Sequence, residues 1–106
     1  MRKGLFAGIF LGLTLLAGPA AAEEPGVIQL GAAVSLTGKY SSNGAFTRKG
    51  YDLAVKRINE AGGVTVAGKP YLLKVVYYDD ESTPARGAQL VERLIQQDKI
   101  QYVLGP

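Results

Sequence analysis

The feature that most constrains the fold is a strand, a polar loop and a helix in direct succession. Residues 28–34 are almost all apolar or small, which predicts a strand buried on both faces of a sheet. A polar loop that contains glycines follows over residues 35–44. An amphipathic pattern then predicts a helix from Gly44 or Ala45 to Ala61. This order is the first half of a βα unit, and in open parallel sheets ligands bind at loops that follow strands.

The rest of the chain repeats this alternation. A short hairpin-like segment over residues 64–70 precedes a second predicted strand over residues 71–78. A second helix is predicted from Pro84, after the capping candidates Ser82 and Thr83, and a third strand follows it. Such alternation predicts an α/β fold with a doubly wound parallel sheet. Because crossovers are right-handed, the two helices cover opposite faces only in the strand order 2-1-3, with the first strand central.

The N-terminal residues predict an export signal over residues 1–22 and a mature chain over residues 23–106. A basic start is followed by 13 apolar or small residues at 5–17, fewer than the ~20 that a membrane span needs. Small residues end the segment, so we expect cleavage after Ala22; an uncleaved anchor is the alternative. The chain has no cysteine, which excludes disulfides and a lipoprotein anchor at that site. We therefore expect a periplasmic protein.

Charge and missing residue types argue against several functions. The predicted mature chain carries ten Lys or Arg against nine Asp or Glu, and its adjacent basic pairs are Arg48-Lys49 and Lys56-Arg57. Both pairs fall on the polar side of the first helix, so we expect no nucleic-acid partner. The first strand is not followed by a Gly-x-Gly-x-x-Gly loop, and the chain has no histidine. We therefore predict no enzyme, no catalytic residues and no cofactor; a cofactor-dependent α/β enzyme is the disfavoured alternative.

Two carboxylates, Asp79 and Asp80, stand at the end of the second predicted strand. Paired carboxylates can bind a metal ion, but no histidine is available to join them. We therefore interpret this pair as charges in a solvated turn at the start of a helix, and we predict no metal site.

Several short motifs together resemble one known family. In chain order they are Leu36-Thr37-Gly38, Asn59-Glu60-Ala61-Gly62-Gly63, Gly68-Lys69-Pro70, Asp79-Asp80 with Pro84, and Tyr102-Val103-Leu104-Gly105-Pro106. In this order, behind an export signal, they resemble the periplasmic substrate-binding proteins of branched-chain amino acid ABC transporters. This is the leucine/isoleucine/valine-binding family, which has the type I periplasmic binding protein fold. The resemblance covers nearly all of residues 23–106.

The resemblance implies a two-lobed, hinged protein that holds its ligand between the lobes and delivers it to a membrane permease. It implies that residues 23–106 are the N-terminal part of the first lobe, so we expect a truncated chain. In the family, the loop after the third strand holds the carboxylate and ammonium groups of the amino acid. One lobe encloses little of a small ligand, so we expect no micromolar binding by this chain alone. A sensor module of a membrane receptor with the same fold is the alternative function.

The resemblance also assigns candidate ligand contacts. The position of Asn43 lines the side-chain pocket, where relatives that take aliphatic amino acids often carry an aromatic residue. Asn43 therefore indicates a polar amino acid or a related amide. Tyr40, Ser41 and Ser42 are further candidates, and each candidate has a structural alternative. Ser42 or Asn43 can cap the helix, Ser41 can be an ordinary loop residue, and Tyr40 can pack over the loop. At Ser82 some members carry a disulfide-bonded cysteine.

Overall fold

The computed structural model describes residues 24–106, together with Gly4 and Gly12. The elements are, in chain order, β1 Gly26–Val34, α1 Ser41–Glu60, β2 Val64–Val66, β3 Lys69–Asp79, α2 Pro84–Gln96 and β4 Tyr102–Leu104. Apart from the two glycines, the predicted signal peptide lies outside the described residues. Among the helices of the described part, none combines the length and the apolar character that crossing a membrane requires.

The four strands form one sheet in the order β2-β3-β1-β4. Strand β1 is parallel to both of its neighbours, β3 and β4. Since β3 and β4 are the second and third strands predicted from the sequence, the predicted order 2-1-3 is confirmed. The sheet is mixed rather than wholly parallel, because β2 adds an antiparallel edge strand beside β3.

The antiparallel edge comes from the segment that the sequence showed as hairpin-like. Val66 pairs with Lys69, which leaves Ala67 and Gly68 as a two-residue turn. Both turn residues have positive φ, 50° and 79°. A two-residue turn of this kind matches the twist of the strands that it joins, and glycine adopts the conformation without steric cost.

The two helices cover opposite faces of the sheet. Successive β1 residues alternate between the faces, and Gly31 lies on the α2 face, where an added Cβ would stand 2.9 Å from a methyl carbon of Leu94. Leu94 is fully buried, and Leu90 and Ile100 are 4% and 3% exposed. The apolar core therefore sits between β1 and α2.

Helix α1 begins at Ser41, three or four residues before the predicted start at Gly44 or Ala45. Tyr40 occupies the N-cap position, and no side chain caps this end of the helix. Instead the amide of Ser41 donates to the carbonyl of Gly38 at 3.1 Å. The interpretation of Ser42 or Asn43 as the cap is therefore wrong, because both lie inside the first helical turn. Helix α2 also begins without a side-chain cap, because Thr83 occupies the N-cap position but its side chain makes no capping hydrogen bond. Pro84 is the first residue of α2, as predicted.

The C-terminal end of α1 fixes the outer edge of β3. The carboxamide of Asn59 donates to the carbonyl of Leu73 at 2.9 Å and accepts from the amide of Leu73 at 2.8 Å. Strand β2 pairs with β3 only as far as Tyr71. Asn59 thus takes the place of a neighbouring strand just beyond the hairpin, and it satisfies two backbone groups that the edge would otherwise leave open.

Candidate functional site

A cavity of about 450 Å³ lies where β1 and β4 end, between the first turns of the two helices. This volume falls in the range of small-molecule pockets, roughly 300–1,000 Å³. Its lining residues are Ala33, Val34, Ser35, Tyr40, Asn43, Gly44, Thr47, Asp80, Ser82, Thr83, Pro84, Gly87, Val91, Leu104 and Pro106. The position matches the rule that ligands bind beyond the carboxyl ends of parallel strands, where the connection direction reverses.

The cavity brings together two of the four predicted ligand contacts. Tyr40 and Asn43 line it, whereas Ser41 and Ser42 do not. The Tyr40 side chain is 46% exposed, and the Lys39 ammonium lies 4.8 Å from the centre of its ring. Asn43 is the third residue of α1, so the helix fixes the direction of its side chain.

The loop between β1 and α1, which contains Tyr40 and leads into the helix that carries Asn43, is held by Asp79 at the end of β3. One carboxylate oxygen of Asp79 accepts from the backbone amides of Leu36 at 2.9 Å and Thr37 at 3.2 Å. The other oxygen accepts from the Thr37 hydroxyl at 2.7 Å. This hydroxyl bond, with the backbone amides of Glu81, Leu36 and Thr37, holds the pKa of Asp79 below its ordinary value. Asp79 therefore acts as an ionised acceptor that joins two loops.

Asp80 joins the same two loops, the one after β1 and the one after β3, in the interior of the protein. It is 8% exposed, accepts from the Ser35 hydroxyl at 2.7 Å and accepts from the Ser82 amide at 2.8 Å. The interpretation of this pair as a solvated turn is wrong for Asp80, because its carboxylate is buried and hydrogen-bonded. Within residues 24–106, no group of three or more acidic side chains is placed to hold a metal ion.

Ser82 completes the connection between the two loops. Glu81 and Ser82 both adopt left-handed backbone conformations, with φ of 56° and 60°. The Ser82 hydroxyl donates to the carbonyl of Thr37 at 2.7 Å and accepts from the amide of Tyr40 at 3.0 Å. Ser82 therefore holds the loop by hydrogen bonds. We call Asp79, Asp80 and Ser82 the loop clamp.

A close approach at Gly44 forms the adjoining wall of the cavity. A Cβ at Gly44 would overlap the carbonyl oxygen of Ser35. Glycine is therefore required for the first turn of α1 to lie directly against the end of β1. This contact sets the distance between the loop after β1 and the helix face that carries Asn43.

The cavity wall offers several hydrogen-bonding groups. The Asp80 carboxylate also lines the cavity, where it already accepts from Ser35 and Ser82. Asn43, Thr47 and Thr83 bring an amide and two hydroxyl groups to it. The N-terminal ends of α1 and α2 adjoin the cavity, and neither helix has an acidic residue in its first turn. The positive ends of both helix dipoles therefore favour a ligand with a negative or strongly polar group. Thr47 was not among the predicted ligand contacts, although its position four residues after Asn43 places it on the same helix face.

Comparison with known proteins gives one family and several relatives. The family described as periplasmic binding protein matches residues 27–106. The Leu/Ile/Val-binding protein homolog 1 of Brucella abortus is 30% identical over 105 residues, which are 99% of this chain and 26% of that protein. The chain thus spans about a quarter of the length of the curated relatives it matches.

Solved structures agree with this family. The branched-chain amino acid transporter substrate binding protein LivJ from Streptococcus pneumoniae, in complex with isoleucine, superposes with a TM-score of 0.67 and 35% identity, over 76% of this chain and 22% of LivJ. A solute binding protein of an ABC transporter from Rhodopseudomonas palustris, in complex with 3,4-dihydroxy benzoic acid, gives a TM-score of 0.52 and 33% identity, over 73% of this chain and 20% of that one. These relatives are transport binding proteins, so they do not favour the receptor alternative.

Proposed function

Because this chain belongs to the periplasmic binding protein family, we propose that it is part of the extracytoplasmic solute-binding component of an ABC importer. The whole protein captures an amino acid or a related amide between two lobes. Residues 23–106 form the N-terminal part of the first lobe, and a membrane permease receives the ligand. The protein carries out no catalysis of its own.

One observation carries this proposal. The cavity lies beyond the carboxyl ends of β1 and β4, and Tyr40 and Asn43 face it from the loop and the helix that follow β1. The loop clamp fixes this wall before any ligand arrives, because Asp79 and Ser82 hold the backbone of the loop. A preformed wall lowers the entropy cost of ordering loops around a ligand.

The wall supports a ligand with a polar side chain. An apolar side chain enclosed against Asn43 would leave the carboxamide without hydrogen-bond partners, which costs roughly 1–3 kcal/mol. A ligand that carries an amide or a hydroxyl group would pair with Asn43 and Thr47 instead. The relatives in complex with isoleucine and with a dihydroxybenzoic acid define the two comparison ligands for a test.

Isothermal titration of the natural protein that contains this chain tests the proposal. The panel consists of glutamine, asparagine, threonine, isoleucine and 3,4-dihydroxybenzoic acid. We expect the strongest binding from an amide or hydroxyl amino acid. If no member of the panel binds, the proposed function is contradicted. If isoleucine binds most strongly, only the proposal of a polar side chain on the ligand is contradicted.

A variant pair locates the site. Asn43→Leu removes the carboxamide from the cavity wall, so we expect amide binding to weaken about tenfold and isoleucine binding to strengthen. Gln89→Leu makes the same chemical change on the exposed side of α2, outside the cavity. Equal effects of the two substitutions on affinity would show that Asn43 is not in the site.

Export is tested separately by mass spectrometry of protein from the periplasm. We expect a mature chain that starts at Glu23, after cleavage behind Ala22. An intact Met1 in exported material would contradict the cleavage.

A further inference from the structure

One hydrogen bond joins α1 to the residue that follows β4. The hydroxyl of Tyr51 donates to the carbonyl oxygen of Gly105 at 2.7 Å, between residues 54 positions apart in the chain. Tyr51 is half-buried on α1. The bond therefore spans from the middle of the helix to the end of the shortest parallel strand.

Both ends of this bond adjoin the cavity. Asn43, Thr47 and Tyr51 follow each other at four-residue spacing, so they share one face of α1, and Asn43 and Thr47 line the cavity. On the opposite side, Leu104 and Pro106 line the cavity, and Gly105 stands between them. The Tyr51 bond thus connects the helix wall of the cavity to the β4 wall.

The pairing of β4 with β1 ends one residue before Gly105. Strand β4 pairs with β1 at three residues and its last pair joins Ala32 to Leu104. Pro106 has no N–H and cannot continue this ladder. Beyond the last ladder pair, the Gly105 carbonyl is thus joined to α1 by the Tyr51 hydroxyl.

We propose that Tyr51 is a positioning residue for the ligand cavity, which sets the distance between the α1 wall and the β4 wall by holding the Gly105 carbonyl. Tyr51 itself does not line the cavity, so it acts through Leu104 and Pro106 rather than by touching the ligand. This role rests on the proposed function, in which the cavity holds an amino acid or a related amide.

Tyr51→Phe in the natural protein removes the hydroxyl and keeps the ring. Isothermal titration should show about five- to tenfold weaker binding of the strongest panel ligand, the size expected for one lost hydrogen bond. Tyr77→Phe is the matched control, because Tyr77 also joins α1 by its hydroxyl, to Asp52 at 2.7 Å, and does not line the cavity. It should lower the denaturation midpoint and leave the affinity within twofold of the unsubstituted protein.

A ligand-free measurement separates this inference from the proposed function. In NMR spectra of the unliganded protein, Tyr51→Phe should shift the Gly105 carbonyl carbon and the Leu104 methyl signals, and Tyr77→Phe should leave them in place. Unchanged Gly105 and Leu104 signals overturn the positioning role, whether or not a ligand binds. Shifted signals with unchanged affinity, or equal loss of affinity in both variants, also overturn it. Failure of the unsubstituted protein to bind any panel ligand contradicts the proposed function instead.

Discussion

The two faces of the sheet are stabilised in different ways. On the α2 face, Leu90, Leu94 and Ile100 are buried against β1. On the α1 face, Gly44 is the only helix residue that the described part of the chain buries, while Phe46 and Leu53 are 71% and 50% exposed. Burial of apolar area stabilises α2, whereas α1 depends on hydrogen bonds with a defined direction.

Two neighbouring tyrosines of β3 show what the faces share. Tyr77 points to the α1 face and donates to Asp52, and Tyr78 points to the other face and donates to Asp98, each at 2.7 Å. An arginine lies over each ring, Arg48 at 4.6 Å and Arg93 at 4.9 Å from its centre. The tyrosine contacts of the two faces are thus matched, and the faces differ in apolar burial and in the hydrogen bonds of Asn59 to Leu73.

The largest test of this comparison is Leu94→Ala. The substitution leaves a cavity in place of a fully buried side chain. We therefore expect the free energy of unfolding in urea to fall by about 2–5 kcal/mol. The matched substitution Leu53→Ala on α1 should cost less than about 1 kcal/mol, because half of that side chain is exposed. Equal losses would show that α1 is also held by burial.

Asn59→Ala tests the hydrogen bonds of the α1 face. The substitution leaves the amide and carbonyl of Leu73 without their partner, so we expect a loss of about 1–3 kcal/mol and faster hydrogen exchange at Leu73. Gln97→Ala removes an exposed amide near the end of α2 and should change neither quantity. Unchanged exchange at Leu73 in the Asn59 variant would contradict the edge-holding role.

Tyr77→Phe and Tyr78→Phe test whether the matched contacts are equal. Each should reduce the free energy of unfolding at neutral pH, and for Tyr77→Phe we expect a loss of about 1 kcal/mol. Burial and the bond to Asp52 raise the pKa of Tyr77, and the bond to Asp98 raises that of Tyr78. A raised pKa in the folded state stabilises the protein below about pH 10, and this stabilisation is lost as the pH rises further. The free energy of unfolding, followed by circular dichroism, should fall less steeply above about pH 10 in each variant than in the unsubstituted protein. An equally steep fall would contradict the assignment.

Asp79→Asn is expected to have the smallest effect. Because the Thr37 hydroxyl and the nearby amides lower the pKa of Asp79 in the folded state, its stabilisation is complete above about pH 4 and is lost as the pH falls further. The difference in unfolding midpoint between Asp79→Asn and the unsubstituted protein should therefore shrink in acid. Thr37→Val should show the same trend. A difference in unfolding midpoint between Asp79→Asn and the unsubstituted protein that persists at about pH 2 would contradict the stabilising role of the Asp79 carboxylate.

The sequence predicts the sheet better than the site. The handedness of crossovers and the apolar run of β1 were enough for the central position of that strand. The start of α1 was misjudged because Ser42 and Asn43 resemble capping residues, while a backbone bond to Gly38 opens the helix instead. The buried role of Asp80 could not be read from the sequence, since its partner Ser35 is 45 residues away.

The loop clamp has a consequence for protein engineering. Asp79 and Ser82 hold the loop after β1 through backbone amides, a backbone carbonyl and the Thr37 hydroxyl. None of these bonds uses the side chain of Tyr40 or Asn43. Under the proposed function, different residues set the shape of the loop and the selectivity for the ligand. A library randomised at positions 40 and 43 should change the ligand repertoire while the loop stays the same, provided that proline is left out at position 40, whose amide donates to Ser82.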